Sequence, residues 1–178
     1  MPHIPTAPHS AGIGSLLSFR PETAKPMMEL AQTLLRGESS LTQGERELIA
    51  AFVSSKNNCE FCTRSHSAAA WNLPGMTKEL VFSVLNSIEI PSISLKMKAL
   101  LTIALKVQDN GKSVTDDDIA EARKLGANDS EIHDTVLIAS AFSMYNRFVD
   151  GLAAITPTDD EVYERMGKYL AENGYGKR

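Results

Sequence analysis

The sequence has little cysteine and no long apolar run, and both absences narrow what the protein can be. Only two of its 178 residues are cysteines, and no second Cys/His pair is present to complete a structural zinc site. No apolar run reaches the roughly 18 residues that a bilayer-spanning helix needs. We therefore expect no structural metal and no membrane partner.

Basic residues are not in excess either. Lys and Arg total 18 against 22 Asp and Glu, a formal net charge of −4. An acidic chain without a basic cluster argues against nucleic acid as a partner. The first ten residues lack the basic and apolar regions of a secretory signal, so we expect a cytoplasmic protein. In that compartment an isolated Cys-x-x-Cys is typical of redox or metal chemistry rather than of a structural disulfide.

Strand and hairpin signals are missing along the whole chain, whereas helical spacing of apolar residues recurs. We expect an all-α fold of six to eight helices in a single domain. Residues 1–12, rich in Pro, Gly and His, are predicted to form an N-terminal arm that is loose or packs on a neighbouring subunit. Residues 13–178 then form the helical domain, beginning with a short helical turn at 13–19.

The sequence contains a weak internal repeat. A shift of 52 residues pairs Leu48 with Leu100, Ile49 with Leu101 and several later apolar positions. We interpret this as a duplicated three-helix unit. The second copy has Gly111 where the first has Cys59, and Asp118 where it has His66, so only one copy retains thiol chemistry.

The two cysteines lie in one stretch, Asn58-Cys59-Glu60-Phe61-Cys62-Thr63-Arg64-Ser65-His66. Asn57 and Asn58 favour an N-cap, and the apolar residues that follow predict a helix ended by Pro74-Gly75. Both thiols would lie in its first turn, where the helix dipole favours a thiolate and lowers the pKa of at least one cysteine. By position alone Cys59 would be the more acidic. Helical spacing places both thiols and His66 on roughly one face.

Glu47 belongs to the preceding helix, which begins with the capping box Thr42-x-x-Glu45. Leu48, Ile49, Phe52 and Val53 give that helix a buried stripe, and Glu47 is expected at its edge. A carboxylate, an imidazole and a thiol in series are the arrangement that activates a nucleophilic cysteine. A metal site with Cys59, Cys62 and His66 as ligands, or a buried pair of free cysteines, remain the alternatives.

The spacing Glu47-x11-Cys59-x-x-Cys62-x3-His66 resembles the motif of the alkylhydroperoxidase D-like proteins, within the carboxymuconolactone decarboxylase superfamily. The flanking Leu41-Thr42 and Tyr145-Asn146-Arg147 are most similar to its peroxidase-related branch. The resemblance implies that Cys62 is the peroxide-reactive thiol and Cys59 the proton donor and resolving thiol. It also implies that His66 and Glu47 relay protons, and that Cys59 and Cys62 close a disulfide.

The resemblance further implies a thiol-dependent peroxidase or disulfide oxidoreductase that needs no metal, flavin or haem. Its partners would be a small hydroperoxide, an external dithiol or protein reductant, and further copies of the chain in a trimer or hexamer. A redox-sensing disulfide switch and a lactone decarboxylase are the alternative functions. The sequence departs from the best-known members at Phe61, where they carry a second histidine.

Asn146 and Arg147 interrupt an apolar stretch in the middle of a long predicted helix. They indicate either a wall of the site or a subunit contact, with an ion pair to Glu47 or Asp150 as the simpler interpretation. No role is assigned to them from the sequence.

Overall fold

Helix follows helix along the chain. The computed structural model describes residues 1–6, 10–90 and 92–176, and these contain no β-strand. The helices are α1 (Gly12–Phe19), α2 (Pro21–Arg36), α3 (Gln43–Lys56), α4 (Glu60–Trp71), α5 (Lys78–Asn86), α6 (Leu95–Asn110), α7 (Asp116–Lys124), α8 (Asp129–Gly151) and α9 (Asp160–Asn173). A 3₁₀ turn, Gly111–Ser113, follows α6. The predicted all-α class is confirmed.

Nine helices in the described residues exceed the six to eight that the sequence predicts. The segment expected as a short turn at 13–19 forms the two-turn helix α1. Leu16 and Leu17 on this helix are buried, and burying two leucines stabilises a helix that is too short to persist by itself.

The hairpin of α3 and α4 lies at the centre of the fold. The capping box predicted at Thr42 and Glu45 is present, and it fixes the start of α3. Leu48, Ile49 and Val53 are completely buried. Helix α4 packs on α3 with one side and on α9 with the other, while α8 covers α3 and α6. The cysteine stretch is therefore held between helices that come from both halves of the chain.

The helix bounds follow the predicted duplication. Helix α3 begins at residue 43 and α6 at 95, and α5 begins at 78 and α8 at 129. The helices α3, α4 and α5 thus correspond to α6, α7 and the start of α8. In the second unit Asp118, at the position of His66, pairs with Lys106 at 2.6 Å. This unit holds an ion pair where the first holds its histidine.

The described start of the chain lies along the end of α8. The backbone N–H of His3 donates to the carbonyl of Leu152 at 3.0 Å, and that of Gly12 to Ile155 at 2.8 Å. Ile4 packs near the cysteines. Residues 7–9 of the predicted arm lie outside the described residues, and its contact with another subunit stays a prediction. Within the described ranges, no helix is long and apolar enough to cross a membrane.

The contact between α4 and α9 depends on one glycine, because a Cβ atom on Gly167 would overlap the backbone of Ala68. We expect Gly167→Ala to lower the free energy of unfolding by about 1–3 kcal/mol, as overpacking does in a tight core. Gly151→Ala is the control, since a Cβ there meets nothing within 4 Å. Urea denaturation measures both, and equal effects of the two substitutions would contradict the tight α4–α9 contact.

Candidate active site

A Schellman turn between α3 and α4 positions Cys59 at the start of α4. Asn58 has a positive φ of 59°, a conformation that asparagine tolerates better than most residues. The N–H of Asn58 donates to the carbonyl of Ser55, and that of Cys59 to Ser54, both at 3.0 Å. The predicted cap at Asn57 or Asn58 is therefore wrong by one or two residues: Cys59 is the N-cap of α4, and Cys62 lies in its first turn.

Side-chain amides from two other helices, α6 and α8, hold this turn. Asn57 donates to the side-chain oxygen of Asn146 at 2.9 Å and accepts from Gln108 at 2.9 Å. Asn146 in turn donates to the hydroxyl of Ser54 at 3.0 Å. The polar residue at 146 that the sequence left without a role thus braces the approach to Cys59. Its neighbour Arg147 is exposed and donates to the carbonyl of Ser143.

The two thiols are free and buried, and their surroundings differ. Cys59 is completely enclosed in an apolar cluster with Leu16, Val149 and Ala154. Its hydrogen bond to Cys62, together with burial, raises the pKa of Cys59 well above its ordinary value. The hydrogen bond to the neighbouring sulfur and burial thus oppose the lowered pKa that the position at the helix N-terminus predicts for Cys59.

Cys62 and His66 open on an apolar cavity of about 350 Å³. Its walls come from α1, α2, α4, α8, α9 and the C-terminal segment. None of the described residues that line it is Lys, Arg, Asp or Glu. The aliphatic, aromatic and sulfur side chains of the wall include Ile13, Leu17, Met27, Met28, Phe61, Phe142, Val162, Met166 and Leu170. A cavity of this size and character suits a small, uncharged organic molecule.

Glu47 lies behind His66, on the side away from the cavity. Its Oε2 is 2.8 Å from Nδ1 of His66. The sequence gives the order of these two residues, and the structure adds the contact between them. The prediction that Glu47 sits at the edge of the α3 stripe is wrong, because its side chain is 0% exposed. A carboxylate at this depth must be matched by hydrogen-bond donors or lose its charge.

Two further donors reach the same carboxylate. Arg36, at the end of α2, places Nη2 2.7 Å from Oε1 of Glu47. The hydroxyl of Tyr175 donates to Oε1 at 2.7 Å and lies 3.2 Å from Nδ1 of His66. The sequence reasoning missed both residues. Arg36 ends a helix before a glycine and so looks like an ordinary capping cation, and only the flanking Gly174 and Gly176 mark a turn that returns Tyr175 to the core.

These contacts determine the charge of Glu47. Burial favours the protonated carboxyl, but the hydrogen bond and charge of His66, the charge of Arg36 and the Tyr175 hydroxyl outweigh it. The pKa of Glu47 therefore lies below its ordinary value of 4.5. Conversely, burial and the charge of Glu47 raise the pKa of Tyr175, which stays a hydroxyl donor. Because Glu47 is ionised, Nδ1 of His66 donates to its carboxylate, and in the neutral imidazole this arrangement leaves Nε2 without a proton.

Phe61 fills the position where the best-known alkylhydroperoxidase D members have histidine. Its ring lies in the cavity wall and contacts Tyr163, with centroids 6.0 Å apart. It also packs on Gly12, which has a φ of 54° and where any Cβ atom would overlap the ring. An apolar ring at this position leaves His66 as the cavity's histidine among the described lining residues. No group of three or more His, Cys, Asp and Glu arranged to hold a metal occurs in the described part of the chain.

Known proteins resemble this chain in sequence and in fold. The sequence model of the carboxymuconolactone decarboxylase family matches residues 21–104, a range that holds Arg36, Glu47, both cysteines and His66. Two similar solved structures are uncharacterized peroxidase-related proteins. One, from Silicibacter sp. TM1040, has 27% identity and a TM-score of 0.75 over 84% of this chain and 76% of that one. The other, from Ralstonia eutropha JMP134, is described as an alkylhydroperoxidase AhpD core. It has 26% identity and a TM-score of 0.71 over 88% and 80%.

A protein of unknown function from Agrobacterium tumefaciens shares the fold, with 22% identity and a TM-score of 0.71 over 84% of this chain and all of that one. No curated protein matches the chain. Residues 21–104 thus match the carboxymuconolactone decarboxylase family, and the fold is that of alkylhydroperoxidase D-like, peroxidase-related structures. Of the residues that surround Glu47, only Tyr175 lies beyond the matched range of this superfamily.

The buried Glu47 predicts an acid-sensitive fold. Because its folded pKa is depressed, the stability it contributes is complete above pH 4.5 and is lost as the pH falls through the lower folded value. We expect Glu47→Gln to lower the free energy of unfolding by about 3–5 kcal/mol at pH 7, since it leaves Arg36 buried without its partner. The substitution should also weaken the pH dependence of stability between pH 5 and 2.

The control is Glu164→Gln, which breaks the half-exposed pair with Lys78. It should cost about 1 kcal/mol or less. Denaturant titrations across the acid range test both variants. A Glu47→Gln protein that is as stable as the control and unfolds at the same acid pH as the wild type would contradict the assignment of an ionised Glu47.

Proposed function

We propose that this protein is a thiol-dependent peroxidase, in which Cys62 attacks a hydroperoxide that enters the apolar cavity. The observation that carries the proposal is the arrangement of Cys62 and His66 on one cavity wall, with Glu47 bonded to the far nitrogen of His66. This is the nucleophile, base and orienting group that thiol catalysis uses. Its partners are a small hydroperoxide and an external dithiol.

The first step is attack of the Cys62 thiolate on the terminal oxygen of the hydroperoxide. The O–O bond breaks, the sulfur is oxidised to a sulfenic acid, and the alkoxide leaves as an alcohol after taking a proton. The free nitrogen of His66 accepts the thiol proton and returns it to the departing oxygen. Glu47 keeps the imidazole oriented and stabilises its charged form.

The second step uses Cys59. Its sulfur attacks the sulfenic sulfur, a disulfide forms between the two cysteines, and the hydroxyl leaves as water. The raised pKa of Cys59 supports this division, because a thiol that is still protonated when Cys62 has been oxidised carries the proton with which the hydroxyl of the sulfenic acid leaves as water. An external dithiol then reduces the disulfide by two thiol exchanges and restores both cysteines. We propose that this reductant is an external dithiol or protein, and that the chain assembles as a homo-oligomer, a trimer or hexamer.

The cavity argues against the decarboxylase alternative. A lactone that carries carboxylates would lose its hydration in a wall without a lysine or arginine among its described residues. A redox switch without turnover is distinguished by kinetics instead, because it would consume only one equivalent of oxidant per chain.

Steady-state turnover tests the proposal. With dithiothreitol as reductant, the protein should consume cumene hydroperoxide over many cycles, and Cys62→Ser should abolish this activity. His66→Ala should lower kcat/KM by roughly 10²- to 10⁴-fold, the usual contribution of a general base. His133→Ala is the matched control, since His133 is exposed and paired with Asp134, and it should retain the wild-type rate.

Three results would contradict the proposal: turnover that survives in Cys62→Ser, a His66→Ala rate equal to that of His133→Ala, or consumption that stops after one equivalent in the wild-type protein. The last result would favour the redox switch. Retained decarboxylation of a carboxylated lactone in the Cys62→Ser variant would favour the decarboxylase.

The apolar wall also predicts a substrate preference. We expect kcat/KM for cumene hydroperoxide to exceed that for hydrogen peroxide by roughly ten- to a hundredfold, because the cavity buries the apolar group. Met28→Gln makes the cavity wall more polar and should reduce this ratio. Met144→Gln is the control, since Met144 is 45% exposed and lies outside the cavity, and it should keep the ratio. An equal or inverted ratio in the wild-type protein would contradict the role of the cavity.

A further inference from the structure

The C-terminal segment 174–176 turns back from α9 and is tied to α2. The backbone N–H groups of Tyr175 and Gly176 both donate to Oε1 of Gln32, at 2.6 and 3.1 Å. Gly174 ends α9 with a φ of 66°, a backbone conformation that residues other than glycine rarely adopt. This turn reverses the chain and brings Tyr175 into the core, where its side chain is buried.

Tyr175 meets both members of the proposed relay. Its hydroxyl donates to Oε1 of Glu47 at 2.7 Å, so its oxygen is left with lone pairs that face Nδ1 of His66 at 3.2 Å. Its ring lies nearly parallel to the imidazole, at an interplanar angle of 14°. The guanidinium carbon of Arg36 lies 5.2 Å from the centroid of the same ring. The tyrosine therefore fixes the imidazole by its ring and by its hydroxyl together.

The hydrogen-bond inventory of the site allows one arrangement. Arg36 and Tyr175 can only donate to the ionised carboxylate, and each does so at Oε1. Oε2 is left for His66. Tyr175 donates its one hydroxyl proton to Glu47. Its oxygen can therefore accept a hydrogen bond from the same Nδ1–H group of His66 that donates to Glu47. Both neighbours therefore favour the tautomer with the proton on Nδ1.

We propose that Tyr175 is a positioning residue, which selects the tautomer of His66 and thereby keeps the other ring nitrogen free to accept the proton of Cys62. The inference rests on the proposed function for the step that His66 serves. It goes beyond the family match, which ends at residue 104. The C-terminal segment is thus part of the site although it is far from the cysteines in sequence.

The test compares Tyr175→Phe with Tyr145→Phe in the full chain. Both tyrosines line the same cavity, but the hydroxyl of Tyr145 donates to the carbonyl of Met27 at 2.8 Å. The first readout is the ring ¹⁵N chemical shifts of His66, assigned with a His66→Ala variant. Wild type and Tyr145→Phe should show one protonated and one unprotonated nitrogen. In Tyr175→Phe the two shifts should move toward each other as the second tautomer becomes populated.

The second readout is the rate at which iodoacetamide alkylates Cys62 at pH 7. It should fall about tenfold in Tyr175→Phe, the loss expected for one hydrogen bond to a charged group. Gln32→Ala keeps the hydroxyl but removes the anchor of the segment, so it should change both readouts in the same direction. This second variant keeps the test valid if Tyr175→Phe folds poorly.

Unchanged ¹⁵N shifts in both Tyr175→Phe and Gln32→Ala would overturn the inference, even if alkylation slows, because a merely structural tyrosine would affect only the rate. A Tyr145→Phe variant that reproduces the shift change would overturn it as well. Neither readout uses a peroxide. A failure of the proposed function, seen as turnover that survives in Cys62→Ser, is therefore distinguishable from a failure of this inference.

Discussion

The buried carboxylate of Glu47 is the constraint on which the site depends. A completely enclosed charge is tolerated only if donors surround it, and three elements supply them: Arg36 from α2, His66 from α4 and Tyr175 from the C-terminal segment. The same carboxylate that holds these elements together orients the imidazole. Stability and chemistry are therefore coupled in this protein, because a change that removes the charge of Glu47 loosens three parts of the chain at once.

The second constraint is the different access of the two sulfurs. The Schellman turn at Asn58 places Cys59 behind Cys62, inside an apolar cluster, and leaves Cys62 on the cavity wall. The hydrogen bond to Cys62 and burial raise the pKa of Cys59, whereas Cys62 lines the same cavity as His66. This asymmetry supports the division into a reacting and a resolving thiol. Helix position alone would not have shown this difference, because it takes no account of burial.

Much of this site was predictable from local sequence, and what was missed is non-local. The capping box at Thr42 and the spacing of Cys62 and His66 follow from helical geometry, and the family resemblance adds Glu47 to the site, whereas its contact with His66 is seen only in the structure. The depth of Glu47, by contrast, depends on α2 and on the return of the C-terminal segment, which no periodicity in α3 reveals. Arg36 and Tyr175 were missed for the same reason. Arg36 is 11 residues from Glu47 in the sequence, and Tyr175 is 128 residues away.

The most direct measurement locates the oxygen-accepting sulfur. The reduced Cys59→Ser protein is treated with one equivalent of cumene hydroperoxide in the presence of dimedone, which traps sulfenic acids, and the modified residue is identified by mass spectrometry. We expect a dimedone adduct on Cys62, and little adduct when His66→Ala is added to the same protein. The Cys62→Ser protein is treated in the same way. An adduct on Cys59 in that variant, with none on Cys62 in the Cys59→Ser protein, would contradict the assignment of the two thiols. An adduct on neither cysteine would contradict thiol-based peroxide reduction altogether.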